Sequence, residues 1–304
     1  MHYTVKPISK KASFNLAWEE YILKHLYKGE DIFLFWQNEP AVIIGRNQNA
    51  YNEVNSLFLN QEKIPLFRRN SGGGTVYHDL GNLNYSIITK AKGKVNNYKL
   101  MTSLLINALN DLGLKAYFSP KSDLKLNSKK IGGNAQYLYK DILLHHGTIL
   151  FDCNLSNLKK VLKNPLIHTS KAVESRPSSV LNINQYLTLS LSELIAYLLT
   201  YFNINKEIIL TASDILKIQT LEKEKYLKKE WNYYESPSST LFIEKNNYKV
   251  HLEIEKGLIT RAVISYQEIN QPYLSSLLVN KALLPLDLNF LNPHYSQLFN
   301  LLFK

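Results

Sequence analysis

Arg68-Arg-Asn-Ser-Gly-Gly-Gly-Thr-Val-Tyr-His-Asp79 sets two cations and three consecutive glycines ahead of a His-Asp pair. Glycine permits positive φ and close backbone approach. Consecutive amides form a concavity that favours anions. Arginine adds planar, charge-assisted hydrogen bonds to carboxylate or phosphate. Three glycines alone read as a tight hairpin turn; with two arginines just before them they read as an anion-binding loop. It is not a Walker A loop, because no Gly-Lys-Ser/Thr follows and the next residues have strand character. It is not a dinucleotide fingerprint, because the third glycine of G-x-G-x-x-G is missing. Lys129-Lys-Ile-Gly-Gly-Asn-Ala-Gln136 again places a cation beside adjacent glycines. Taken alone, this second stretch reads equally well as a solvated lysine next to a β-bulge. Taken together, the two elements fit one mononucleotide or acyl-phosphate site, where a lysine ammonium meets a phosphate or a developing carbonyl charge.

The flanking segments mix helices and strands irregularly. Phe14–Lys28 and Asn97–Leu112 have helical apolar spacing. Ile32–Gln37 and Ala41–Gly45 read as strands split by an Asn-Glu-Pro turn. Thr75–His78 and Asn82–Ile88 read as two strands joined around Asp79–Gly81, and strands are expected over 115–119, 129–139 and 142–152. Short, longer and charged helices follow at Leu155–Leu162, Leu189–Tyr201 and Asp214–Lys229. From Thr240 the chain alternates apolar and polar residues as half-buried strands do, and an apolar helix closes it. This pattern predicts α+β rather than doubly wound α/β. We place a boundary near Ser238, giving segments 1–238 and 239–304.

Composition narrows the class. The 304 residues carry a net charge of +11 and are 45% hydrophobic, enough for a sizeable core. The charge favours an acidic partner without choosing among nucleic acid, membrane, protein and phosphorylated small molecule. The scattered lysines read mostly as a solvated surface. One cysteine, Cys153, excludes a disulfide or a thiolate metal site within one chain. That fits a reducing setting, and the expected location is the cytoplasm. The N-terminus lacks an apolar core of signal-peptide type, no run approaches membrane-span length, and no residue spacing suggests structural zinc.

Three motifs resemble those of the lipoate–protein ligases, in the superfamily shared with biotin–protein ligases. RRNSGGGTVYHD matches R-R-x-x-G-G-G-x-V-(F/Y)-H-D and is highly specific. Lys130-Ile-Gly-Gly-Asn-Ala135 matches K-x-x-G-x-A, which is weak by itself. The stretch from His146 through Asn154 to Leu162 matches H-x-x-(L/M)-L-x-x-x-(D/N)-L-x-x-L-x-x-x-L, with Ile149 at the Leu/Met position. Flanking similarity extends over almost the whole chain, including a loose match of Ser170–Asn182 to the family's adenylate-binding loop.

The resemblance implies a mixed-sheet catalytic domain over 1–238 and a small α+β accessory domain over 239–304. It implies activation of lipoate by ATP, with Mg2+, to lipoyl-AMP, then transfer to a lysine of an acceptor. The implied acceptors are apo lipoyl domains of 2-oxoacid dehydrogenase complexes and the glycine-cleavage carrier protein, and the expected state is a monomer with no nucleic-acid or membrane partner. Lys130 is the implied catalytic residue, bridging the lipoyl carbonyl and the phosphate. Arg69, Gly73, Gly74, Thr75, Val76, Tyr77, Asp123 and Lys171 are implied at the adenylate. Trp36, Arg46, Arg69, His78, Asn84 and His146 are implied at lipoate, with Val42 and Ile44 as further candidates for its apolar slot. No metal is expected on the protein alone. Catalysis of this kind is mainly positioning and charge stabilisation.

Two rivals remain open at this level. An octanoyl- or lipoyl-transferase of the same superfamily would use Cys153 as nucleophile and no ATP, although a lone cysteine on an apolar strand is more often core. A basic nucleic-acid-binding protein would show a steep salt dependence on random DNA, but no recognisable nucleic-acid motif is present.

Overall fold

The computed structural model describes residues 2–119, 123–162, 168–175 and 178–303. Its largest sheet contains β1 (His2–Thr4), β2 (Ile32–Trp36), β6 (Asn82–Lys90), β7 (Tyr117–Phe118), β8 (Asp123–Leu126), β9 (Lys129–Tyr139), β10 (Ile142–Leu150) and β12 (Ile204–Glu207). The spatial order is β12-β1-β2-β6-β10-β9-β8-β7. A three-stranded sheet holds β3 (Ala41–Ile44) between β4 (Leu66–Arg68) and β5 (Val76–His78). A third sheet, in the order β11-β13-β14-β15-β16, is built from β11 (His168–Ser170), β13 (Ser239–Lys245), β14 (Tyr248–Glu255), β15 (Leu258–Tyr266) and β16 (Ile269–Asn270). Parallel and antiparallel pairs occur side by side in the first two sheets. The architecture is α+β.

Both faces of the large sheet are covered, so its central strands carry apolar residues in both phases of the two-residue period. Phe33, Phe35, Leu83, Tyr85 and Ile87 pack under the helices Tyr98–Asp111 and Leu191–Tyr201, where they meet Met101, Leu105, Leu194 and Leu198. Leu34, Trp36, Ile88 and Leu144 face the other way, toward Trp18 and Ile22 of the N-terminal helix and toward Ile43. That helix, Ala12–Tyr21, continues as a π-helical turn over Ile22–Leu26. Asn97 and Asn154 start their helices by accepting from the amides of Leu100 and Asn157 at 3.2 and 3.0 Å, the satisfaction an N-cap provides. Asn154 of the third motif is therefore a cap.

The structure adds detail to three of these readings. The strands on either side of Asn38–Pro40, and those on either side of Asp79–Gly81, divide between the large and the small sheet. Asp79 makes the second corner by accepting from the amides of Gly81 and Asn154 at 2.9 and 2.8 Å. The charged segment after Asp214 is an α-helix over Ala212–Leu221 followed by π-helical turns at Glu222–Tyr226 and Glu230–Tyr234. The third sheet is also not confined to the chain beyond 238, because β11 pairs with β13 along its edge. The remaining core of that region, with Leu252, Ile264, Leu278 and Leu302, is its own cluster and takes in Tyr51 from upstream.

Candidate active site

One register line across the large sheet organises the site. Trp36 pairs with Asn84, Asn84 with Thr148, Thr148 with Gly133, and Gly133 with Asp123. All five residues line a single cavity of about 1010 Å³. Strands lie about 4.8 Å apart, so four steps span roughly 19 Å. His146 and Ala135, two register pairs along and so on the same face, join the same cavity. The small sheet roofs it with Ile43, Val76 and His78, and the glycine loop closes its side with Gly73, Gly74 and Thr75.

The ends of this line differ chemically. At the Asp123 end, Lys130 Nζ lies 2.8 Å from Asp123 Oδ1, with its ammonium over Gly133, where a Cβ would stand 3.3 Å away. The Lys130 amide donates to Ser179 O at 2.8 Å and its carbonyl accepts from Leu181 N at 3.0 Å, so a second segment fixes the lysine's backbone. At the other end Leu16, Trp36 and Ile43 form apolar walls with amide groups from Asn38 and Asn84 between them.

Arg69 works inside the glycine loop. Its Nη2 donates to Gly72 O and Gly74 O at 2.6 and 2.8 Å, Nη1 to Ile43 O at 3.1 Å, and Nε to Ser71 Oγ at 3.0 Å. In a planar trans peptide the N–H points opposite the carbonyl. Drawing the carbonyls of residues 72 and 74 onto the guanidinium therefore turns the amides of Gly73 and Thr75 away from it. Burial lowers the Arg69 pKa to about 10, which leaves it charged at neutral pH. Gly73 adopts φ +89°, and a side chain on Gly45 would collide with the Gly73 carbonyl; both positions need glycine. The Thr75 amide donates to Ser175 Oγ at 2.8 Å. Ser175 also donates to Glu53, which accepts from Thr75 Oγ1 at 2.9 Å.

His146 is braced on both sides, with Nδ1 2.8 Å from Glu19 Oε1 and Nε2 2.6 Å from Ser71 Oγ. A serine–histidine–carboxylate chain is the layout of a nucleophilic triad. Ser71, however, is 1% exposed, outside the cavity lining, and already accepts from Arg69. The chain of contacts is a brace between the N-terminal helix, the large sheet and the loop.

The cavity brings together Trp36, Arg69, Gly73, Gly74, Thr75, Val76, His78, Asn84, Asp123, Lys130 and His146 of the residues singled out from sequence. It does not take in Tyr77, Arg46 or Lys171. Tyr77 alternates with Val76 and His78 and points to the far side of the small sheet, into the cluster with Val42, Ile44 and Leu66. The same alternation moves the apolar wall from Val42 and Ile44 to Ile43. Arg46 stacks on Trp231 at 4.7 Å and pairs with Glu235 at 2.8 Å. Lys171 is exposed outside the lining, although its neighbours Ser170 and Ala172 contribute to it. Arg176 and Pro177 of the same loop lie outside the described residues. Glu19, Asn38, Glu53 and Ser175 were not singled out from sequence. For Glu19 a signal existed: Asn15 and Glu19 are polar residues one turn apart on a helix whose other positions are largely apolar.

Cys153 is 4% exposed and outside the cavity lining. Burial, then Asp79, pushes its thiol pKa far up, the opposite of what a nucleophile needs. Cys153→Ser should leave acyl transfer within about twofold of wild type. Abolished transfer with an intact fold would restore a thioester mechanism.

The sequence model of the lipoyl protein ligase A/B catalytic domain matches residues 11–203. The lipoate-protein ligase LplJ of Bacillus subtilis is 39% identical over 259 residues, covering 81% of this chain and 78% of its own. A Thermoplasma acidophilum lipoate protein ligase with bound lipoic acid superposes with a TM-score of 0.66 at 27% identity, covering 77% of this chain and 99% of that one. A lipoate-protein ligase A bound with ATP superposes with a TM-score of 0.67 at 27% identity, over 76% and 98% of the two chains. The family match extends across the cation–glycine loop, Lys130 and the strands between them, so this chain belongs to the lipoyl protein ligase A/B family.

Proposed function

We propose that the chain is an ATP-dependent lipoate–protein ligase that forms lipoyl-AMP and passes the lipoyl group to a lysine of lipoyl domains. The observation that carries this reading is the register line from Trp36 to Asp123, apolar at one end and cationic at the other. An acyl-adenylate is complementary to it, apolar at one end and anionic at the other, and the cavity has the length for it. The acyl chain lies against Trp36, Leu16 and Ile43, and the nucleotide against the glycine loop and Ser170, Ala172, Val173, Glu174, Ser175 and Ser178. Lys130 sits where carbonyl and phosphate oxygens meet. Its ammonium stabilises charge on the phosphate as the lipoate carboxylate attacks and pyrophosphate leaves. It then stabilises the carbonyl oxygen as the acceptor amine displaces AMP. Arg69 acts at one remove, by turning the Gly73 amide toward the nucleotide, while the Thr75 amide holds Ser175.

Magnesium would enter with the ATP phosphates. No cluster of three or more metal-ligating side chains exists among the described residues, and Mg2+ characteristically binds through phosphates and one or two carboxylates. Asp123 is the carboxylate placed to reach it, where the ion would neutralise phosphate charge. The acceptors in this reading are the lipoyl domains of 2-oxoacid dehydrogenase complexes and the glycine-cleavage carrier protein. The enzyme is a cytoplasmic monomer with a catalytic unit over 1–238 and an accessory unit over 239–304. No helix of the described residues is long and apolar enough to cross a membrane.

The test is mass spectrometry of an apo lipoyl domain incubated with the protein and lipoic acid, with and without MgATP. A lipoyl-sized gain that requires ATP is the expected result. Transfer from an octanoyl carrier protein without ATP, and none from free lipoate, would overturn it.

A further inference from the structure

His78 holds a buried donor that the protein itself leaves unmet. Its Nδ1 lies 2.9 Å from Asn38 Nδ2, while Nε2 is buried with no hydrogen-bond partner among the described residues. His78 and Asn38 both line the cavity, at the end away from Lys130. Three residue steps lead from Thr75 to His78, roughly 10 Å, which is the reach of a medium-length acyl chain from the glycine loop.

The surrounding amides decide which ring nitrogen carries the proton. Asn15 Nδ2 faces three oxygens: Ser9 O at 3.0 Å, Gln37 O at 3.3 Å and Asn38 Oδ1 at 2.8 Å. Two of these are backbone carbonyls, which only accept, so the Asn15 amide is fixed with its nitrogen toward them. Asn38 must then turn its oxygen to Asn15 and its nitrogen to His78. His78 Nδ1 therefore accepts, and in the neutral ring the proton sits on Nε2. Burial first, then Arg69 and His146, lower the His78 pKa to about 3, so the ring is neutral at physiological pH. A buried donor without a partner is costly, and a site with such a donor favours ligands that supply the acceptor.

We propose that Asn15 and Asn38 lock His78 as an Nε2–H donor toward the acyl tail, making it a specificity residue for tails that carry an electron-pair acceptor. This rests on the ligase reading and deepens it. The sulfur atoms of the lipoyl dithiolane are such acceptors, though weak ones; the terminal methyl of octanoate is not. The Nε2–H favours lipoate over octanoate by contact, and disfavours octanoate by leaving the donor unmet. Asn38 acts as a positioning residue through the tautomer.

The experiment measures kcat/KM for pyrophosphate release with lipoate and with octanoate, in wild type, His78→Phe, His78→Gln and Asn38→Leu. The lipoate-to-octanoate ratio should fall about tenfold in His78→Phe. His78→Gln, which retains an N–H in place of Nε2, should keep most of it. Asn38→Leu should lower the ratio and, in long-range proton–nitrogen NMR, convert the single Nε2–H form of His78 into a mixture. A ratio unchanged in His78→Phe, or an Nδ1–H tautomer in wild type, overturns the inference while leaving the ligase reading intact. No ATP-dependent pyrophosphate release with either acid in wild type overturns both.

Discussion

Lys130→Ala should lower lipoate-dependent pyrophosphate release about 10²- to 10³-fold, the loss typical of removing one preorganised donor to developing charge. The same substitution should scarcely move the melting temperature. Among the described residues Lys130 makes one ion pair, to Asp123, and its side chain is 28% exposed; such a pair contributes about 1 kcal/mol. Its strand is held by backbone contacts to Ser179 and Leu181 that alanine retains. Lys130→Arg is also expected to fail, because a planar fork cannot replace a compact ammonium over Gly133. Pyrophosphate release at near-wild-type rate in a folded Lys130→Ala protein would remove the lysine from the chemistry.

Arg68→Met should have the reverse profile: a large loss of stability from a residue that does not line the cavity. Arg68 is fully buried, and its guanidinium meets six acceptors. Nη1 donates to the carbonyls of Gly45, Arg46 and Gln48 at 3.1, 3.0 and 2.7 Å. Nη2 donates to Asn232 O and Ser236 Oγ at 3.0 and 2.9 Å, and Nε to Trp231 O at 3.0 Å. Methionine fills much of the volume but removes the donor from the carbonyls of Arg46, Gln48, Trp231 and Asn232, while Gly45 O and Ser236 Oγ keep the amides of Gln48 and Ala50. A loss of about 4 kcal/mol follows, which lowers the melting temperature by about 10 °C in a chain of this size. Arg68→Lys should recover only part of it, since one ammonium cannot reach both groups of acceptors. Thermal unfolding within two degrees of wild type for Arg68→Met would show that the hub is dispensable.

The two arginines show what sequence does and does not carry. Side by side they read as one cationic pair aimed at an anion. On a strand, successive side chains leave opposite faces, so Arg69 enters the glycine loop and Arg68 enters the turn at 231–236. Neither orientation is legible without knowing which face of β4 is which. Ala-Val-Ile-Ile of β3 hides its phase for the same reason: it is buried on both faces, and an apolar run shows no alternation. Residue type and spacing did suffice where the requirement is local. The glycine loop, Lys130 beside Gly133 and the α+β class were all readable, because close backbone approach and strand periodicity leave marks on neighbouring positions. The brace of Glu19, His146 and Ser71, and the Glu53–Ser175 contact, join residues 75 to 127 positions apart. Only the folded sheet brings them together.

A substrate laid along Trp36, Asn84, Thr148, Gly133 and Asp123 crosses the strands instead of following one. The sheet then behaves as a graduated rule, each strand one division of about 4.8 Å. On the proposed reading, tail length and tail chemistry are set on the divisions at β2 and β6, and the activating charge on those at β9 and β8. A lineage can therefore retune the acid it accepts by changing one division, with the adenylating end untouched. The arrangement has a matching weakness: inserting a single residue in β6 would reverse its side-chain phase and erase the middle of the scale.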